Sequence, residues 1–195
     1  MDPAAISEAG SGDSPRWTGT APYLRYADAP DGVSPLAFPG MKDAVIKTNS
    51  YAHDEAGITT EDPLTVGHMT DKRLRKGEKL ADEMRGYPGV NVSGVPGASA
   101  ALFCWGSTKG VCNEIAALLG LRVVRPVVLS PFPADHLKEA ITGVRKLISV
   151  EENATAQLAA LAERYGIIAD EKILRYDGRP FLPDDLLVKV KEMVV

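Results

Sequence analysis

The chain has 195 residues, with 22 Lys plus Arg against 26 Asp plus Glu and a net charge of −4. That length suits one domain with a full core, or one domain plus a long appended segment. The acidic balance excludes a nucleic-acid surface, which needs a basic face, and no apolar stretch approaches the ~20 residues of a membrane span.

Met1 to Ser14 is small and acidic, without the basic flank and apolar centre of a signal peptide, so a cytoplasmic location is expected. Of the 14 prolines nine lie before Ala98, as do 12 of the 18 glycines, which places a boundary near Gly97. Residues 1–97 are then partly irregular, and residues 98–195 carry the regular elements. Asp31-Gly32-Val33-Ser34-Pro35 and Phe38-Pro39-Gly40 read as turns, and Val45 to Thr48 as one short strand. The following run is dense in ionisable groups. A metal reading would recruit His53, Asp54, Glu55, Glu61, Asp62 and His68. Adjacent residues rarely reach one ion, however, and no His-x-x-x-His or Asp-x-Asp spacing is present, so a solvated or hydrogen-bonded interdomain loop is the better account. Thr60-Glu61-Asp62 before Pro63 suits a turn or cap. Met69 to Met84 is helix-patterned, with a basic face of Lys72, Arg73, Arg75, Lys76 and Lys79. Asp71/Arg75 and Lys79/Glu83 stand at i, i+4, as on a solvated helix surface.

From Ala98 onward strands and helices alternate. A strand over Ala98–Cys104 runs through the turn Gly106-Ser107-Thr108-Lys109-Gly110 into a helix over Val111–Leu119, which Gly120 ends. Such a junction aims backbone N–H groups and a helix dipole at one point. Gly106, Ser107, Thr108 and Lys109 are therefore candidate anion ligands, and a turn that serves packing alone is the competing account. The strand around Val123-Val124 and Val127–Leu129 must begin near Pro126 or carry an irregularity there. Ser130-Pro131-Phe132-Pro133 leads into a helix over Ala134–Thr142. Lys146–Val150 is the third strand, Ala154–Tyr165 an amphipathic helix with Leu158, Leu161 and Tyr165 on one stripe, Ile173–Tyr176 a fourth strand, and Pro183 to Met193 the last helix. This grammar predicts an α/β fold: a mainly parallel sheet with helices on both faces, preceded by an irregular Pro/Gly-rich segment. Ligands and partners of such sheets sit at the carboxyl ends of the strands. The turn at Gly106–Lys109, the Ser130–Pro133 turn and Glu151-Glu152-Asn153 all fall there. Cys104 and Cys112 match no zinc or iron–sulfur spacing and read as small core residues.

Tyr23-Leu24-Arg25-Tyr26, Asp31 to Pro35, Pro39-Gly40, His53 to Gly57, Thr60-Glu61-Asp62, Lys72-Arg73, Gly106 to Gly110, Pro131-Phe132-Pro133, Val150 to Asn153, Gln157-Leu158 and Asp177 to Pro183 together cover nearly the whole chain. In order and spacing they resemble the C-terminal part of the alpha subunit of thiamine-dependent 2-oxoacid:ferredoxin oxidoreductases. The resemblance implies a domain similar to the transketolase C-terminal domain from about Ala98. Before it would lie the tail of the pyrimidine-binding domain and a connector. His53, Asp54, Glu55, Glu152 and Asn153 are then candidate connector or interface residues. On the basic helix face, an acidic electron-carrier protein or a CoA phosphate becomes an alternative to solvent.

The family's activity converts a 2-oxoacid, CoA and oxidised ferredoxin into acyl-CoA, CO2 and reduced ferredoxin, with thiamine as the electron sink. The Tyr-Pro-Ile-Thr-Pro-like motif of the pyrimidine-binding domain and the Gly-Asp-Gly thiamine diphosphate motif do not occur here, and two cysteines cannot hold a four-iron cluster. The chain is expected to be a fragment or separately encoded portion without catalytic or metal-binding residues. Thiamine diphosphate, Mg2+ and the cluster would sit on other polypeptides. The implied partners are a beta subunit carrying the thiamine motif, gamma and ferredoxin-like subunits, and ferredoxin as acceptor. A free-standing α/β anion- or nucleotide-binding module is the alternative, carried by the glycine turn alone.

Overall fold

The computed structural model describes residues 15–19 and 22–194. The chain divides into two compact units, Met1–Asp82 and Glu83–Val195. Met1 to Ser14, on which the leader reading rests, lie outside the described residues.

Among the described residues of the first unit the one helix is α1 (Pro63–Met84), whose last two residues pass into the second unit, and most of the other described residues lie in turns and loops. Asp62 starts it as an N-cap: its Oδ2 accepts bonds from the Thr65 amide at 2.8 Å and the Thr65 hydroxyl at 2.7 Å, and Pro63 occupies the first helical position, where a missing N–H costs nothing. The helix thus begins six residues before the expected Met69. Val45 to Thr48 forms no strand, and Val45 is 83% exposed. A single short extended run has no second strand to share its backbone bonds with. Two isolated bridges, Arg16 to Leu36 and His53 to Thr59, close the loops instead. The small core is Tyr23, Ala37 and Met69, joined by two buried polar residues, His53 and Lys72.

The second unit holds a five-stranded sheet in the order β1-β3-β2-β4-β5, with β1 (Val90–Gly94), β2 (Ala100–Phe103), β3 (Arg122–Pro126), β4 (Lys146–Glu151) and β5 (Glu171–Leu174). β2, β3, β4 and β5 are parallel, and β1 is an antiparallel edge beside β3, with Val92 opposite Val124. This strand lies N-terminal to Gly97 and yet belongs to the sheet. Pro126 is the last residue of β3, so the ladder never needs its missing N–H, and Val127–Leu129 leaves the sheet.

Helices α2 (Lys109–Leu119), α3 (Ala134–Ala140), α4 (Gln157–Glu163) and α5 (Pro183–Val194) cover both faces. Alternation along β2 sorts the core. Leu102 and Cys104 pack with Ile115 and Ala116 of α2 and with Leu186 and Val190 of α5. Ala101 and Phe103 point the other way, towards Leu137 of α3 and Leu158 and Ala162 of α4. Each large side chain so buried contributes about 1.5–3 kcal/mol. Several ends are shorter than expected: α3 stops at Ala140, and α4 begins at Gln157.

Candidate functional site

The chain leaves β2, forms β3 on one side of it and then β4 on the other. The direction of winding reverses between β2 and β4, and the carboxyl ends of these two strands border a crevice. The turn after β2 is a short 3-10 segment, Gly106–Thr108, leading into α2. Gly106 adopts φ +56°, a left-handed conformation that glycine takes without strain. The segment after β4 is Glu152-Asn153. Together with Trp105 and Gln157 these residues line a cavity of about 240 Å3.

The side chains in it are largely committed to one another. Ser107 Oγ donates to Glu152 Oε2 at 2.7 Å, and the other carboxylate oxygen accepts the Phe181 amide at 3.1 Å. Thr108 is buried, and its hydroxyl donates back to the Trp105 carbonyl at 2.8 Å. Of the expected anion donors, Lys109 alone has an exposed side chain without a hydrogen bond or ion pair among the described residues. A carboxylate already sits against the turn, supplied by the chain itself. Helix N-termini favour such a group.

Glu151 organises the neighbouring loop. It is fully buried, and its two oxygens accept bonds from Ser149 Oγ and Asn153 Nδ2, both at 2.8 Å, and from the amides of Leu158 at 2.8 Å and Ala159 at 3.0 Å. The last two are orphan donors of the α4 N-terminus. Asn153 Oδ1 accepts the amides of Thr155 and Gln157, each at 3.1 Å. Glu151 was not singled out from the sequence as a site residue. The signal available was the alternation Ser149-x-Glu151-x-Asn153 at a strand end just before a helix start.

His53, Asp54 and Glu55 belong to the first unit and do not line this cavity. The His53 ring stacks on Tyr26 with centroids 3.8 Å apart, and its Nδ1 lies 3.0 Å from the Asp54 carbonyl. Asp54 Oδ1 accepts the amides of Ala56 at 3.0 Å and Ile58 at 2.8 Å, which folds the loop on itself, and Glu55 Oε2 accepts the Asp28 amide at 2.8 Å. Among the described residues no group of three or more His, Cys, Asp and Glu side chains could hold a metal ion. Cys104 and Cys112 are fully buried and unbridged. The hydrogen bond to Cys104, with burial, pushes the Cys112 thiol well above its ordinary range, which keeps it protonated. These residues do not fit a metal or an iron–sulfur cluster. No described helix is long and apolar enough to cross a membrane.

Fold and cavity together define an α/β domain with its polar cluster at the switch point of a mainly parallel sheet. No protein-family model matches the chain. It is 34% identical over 89% of its length to the alpha subunit of 2-oxoacid:ferredoxin oxidoreductase 2 of Aeropyrum pernix. It is 32% identical, again over 89%, to the alpha subunit of 2-oxoacid:ferredoxin oxidoreductase 1 of Sulfurisphaera tokodaii. A 2-oxoglutarate:ferredoxin oxidoreductase from Magnetococcus marinus, solved with 2-oxoglutarate, coenzyme A and succinyl-CoA bound, matches 93% of the chain at 28% identity with a TM-score of 0.71. The chain is homologous to a part of the alpha subunit of 2-oxoacid:ferredoxin oxidoreductases. It spans 28% of the length of those two curated relatives and 32% of the solved one.

Proposed function

We propose that the chain acts as a non-catalytic portion of the alpha subunit in a cytoplasmic, hetero-oligomeric 2-oxoacid:ferredoxin oxidoreductase, where it shapes the cleft and supports assembly. The observation that carries this reading is the match over 93% of the chain to a solved enzyme of that activity. The complex would oxidise a 2-oxoacid with CoA as acyl acceptor and ferredoxin as electron acceptor. In this reading thiamine diphosphate, Mg2+ and the iron–sulfur cluster lie on other parts of it, because the sequence carries no Gly-Asp-Gly motif and only two cysteines. The chain's own contribution is rigid geometry. Ser107, Glu152 and the Phe181 amide tie three loops together at the carboxyl end of the sheet, and Glu151 with Asn153 fixes the start of α4.

The free-standing anion-binding alternative loses support from the same geometry. The hydroxyls of Ser107 and Thr108 are already spent on Glu152 and Trp105.

The test is reconstitution. The isolated chain should show no 2-oxoacid-dependent reduction of methyl viologen, even with thiamine diphosphate and CoA added. Co-expressed with the remaining alpha segments and a beta subunit, it should co-purify with them, and the complex should turn over. Turnover by the pure chain, or failure of any such subunit to bind it, contradicts the reading.

A further inference from the structure

Cys104 and Cys112 have no part in the work proposed for the chain, yet the fold brings them together. Cys104 directly follows β2, and Cys112 stands in the first turn of α2. Both side chains enter the same half of the core, with Leu102, Ile115 and Ala116, and both are fully buried. The Cys112 thiol donates a hydrogen bond to the Cys104 sulfur. Two sulfurs already in hydrogen-bond contact need only a small approach to reach the ~2.05 Å of a disulfide.

The two thiols are not equivalent. The bond from Cys112, with smaller help from Thr108 and the Arg125 charge on β3, holds the Cys104 thiol below its ordinary range in spite of burial. The same bond and burial push Cys112 up. Cys104 is therefore the sulfur that ionises and attacks, and Cys112 keeps its proton until the second step. Access depends on one short turn. Trp105, Gly106, Ser107 and Thr108 follow Cys104 and line the 240 Å3 cavity, Gly106 and Ser107 are exposed, and Thr108 touches the Cys104 sulfur. A 3-10 segment of this kind is held by few backbone bonds, so it opens locally while the sheet stays closed.

We propose that Cys104 and Cys112 are a peroxide-reactive pair that closes into a disulfide and so fixes the turn bordering the crevice. The Cys104 thiolate attacks one oxygen of hydrogen peroxide, the O–O bond breaks and hydroxide leaves, giving a sulfenic acid on Cys104. The Cys112 sulfur then displaces the hydroxyl from the Cys104 sulfur, and the S–S bond forms. The two thiol protons leave with the two oxygens as two waters, and the two electrons lost by the thiols reduce the peroxide. The bridge would join the ends of the stretch Trp105–Val111, which carries Ser107 and its bond to Glu152. The inference is independent of the oxidoreductase reading.

The test treats the full 195-residue chain with hydrogen peroxide, blocks free thiols with N-ethylmaleimide in denaturant and digests with trypsin. Trypsin cuts after Lys109, between the two cysteines, so a bridge leaves peptides 86–109 and 110–122 joined. The joined species should form in the native chain, lack two hydrogens, and separate with dithiothreitol. Its rate should be unchanged in urea well below the unfolding transition, because only the turn has to open. Cys112→Ser should instead accumulate a dimedone-reactive sulfenic acid on Cys104, and Cys104→Ser should react at least about tenfold more slowly than wild type. Substitution at a buried position can disturb folding, so melting temperatures are measured beside these variants; where one melts early, the wild-type peptide map decides by itself. Both peptides recovered with maleimide after peroxide treatment, a bridge between two chains, sulfonic acid without a bridge, or a rate that rises with urea as global unfolding does would each overturn the proposal.

Discussion

Glu151 is fully buried and both of its oxygens are used, so it ties the end of β4 to the start of α4. Two of its four donors are backbone amides of α4, a helix of 7 residues that is too short to hold itself. Replacing Glu151 with Ala strands those amides beside Leu158 and Ala159 in the interior, where each unpaired group costs about 1–3 kcal/mol. We expect Glu151→Ala to lose about 3 kcal/mol in urea unfolding, and Glu151→Gln, which keeps one oxygen, roughly half of that. A midpoint shift for Glu151→Ala within about 0.5 kcal/mol of wild type would show that the loop is held by packing instead. Glu152 looks interchangeable with its neighbour in the sequence, yet it is exposed and ties Ser107 to Phe181. Strand alternation puts adjacent residues on opposite sides, and this separates their roles.

At the scale of single elements, α1 shows how a start signal works. Bonds from the Thr65 hydroxyl and amide hold the Asp62 carboxyl below the usual carboxylate range. The folded state therefore favours the ionised form. The stabilisation is present above the unfolded value, near pH 4, and is lost as the pH falls through the lower folded value. The 13Cα shifts of Leu64 to Val66 should accordingly move towards coil values as the pH is lowered from about 4 to 2. Asp62→Ala should be frayed at neutral pH and show no such titration. A first turn that stays helical in that variant would mean that packing, not the cap, sets the boundary. The basic face of α1 is a different matter. Its i, i+4 pattern suggested solvent, but Arg75 pairs with Asp28 of a distant loop, and Lys72 is buried under the turn 31–36. Spacing along one helix cannot reveal what another segment lays over it.

For the whole molecule, the division into Met1–Asp82 and Glu83–Val195 makes a prediction about proteolysis. The stretch from Lys42 to Tyr51 contains no strand or helix, with Val45 83% and Tyr51 73% exposed, so trypsin should cut first at Lys42 or Lys47. The surviving fragment should still contain Val90–Gly94, whose five residues pair with β3 in the sheet. Recovery of a stable core beginning at Ala98, without that strand, would contradict the topology. The strand was hard to find because Val90-Asn91-Val92-Ser93 lies between glycines and has only two apolar residues. Its stability comes from β3, and from the Val127 amide donating to the Gly89 carbonyl at 2.9 Å.

Local chemistry was enough for the sequence to determine the alternation of strands and helices after Ala98, the glycine turn after β2 and the motif order that matches oxidoreductase alpha subunits. Each depends on neighbours a few residues away or on a pattern carried along the chain. The same local chemistry placed the start of the second strand, or an irregularity in it, near Pro126, where β3 in fact ends. Tertiary structure alone decided which polar groups are free. Ser107 reaches Glu152 across 45 residues, and Lys72 reaches Ser34 across 38. The first contact commits the Ser107 hydroxyl to the chain's own carboxylate, and the second buries a lysine that the helix pattern placed on an exposed face. A hydrogen bond's worth depends on what it displaces, and that is known only once distant segments have met.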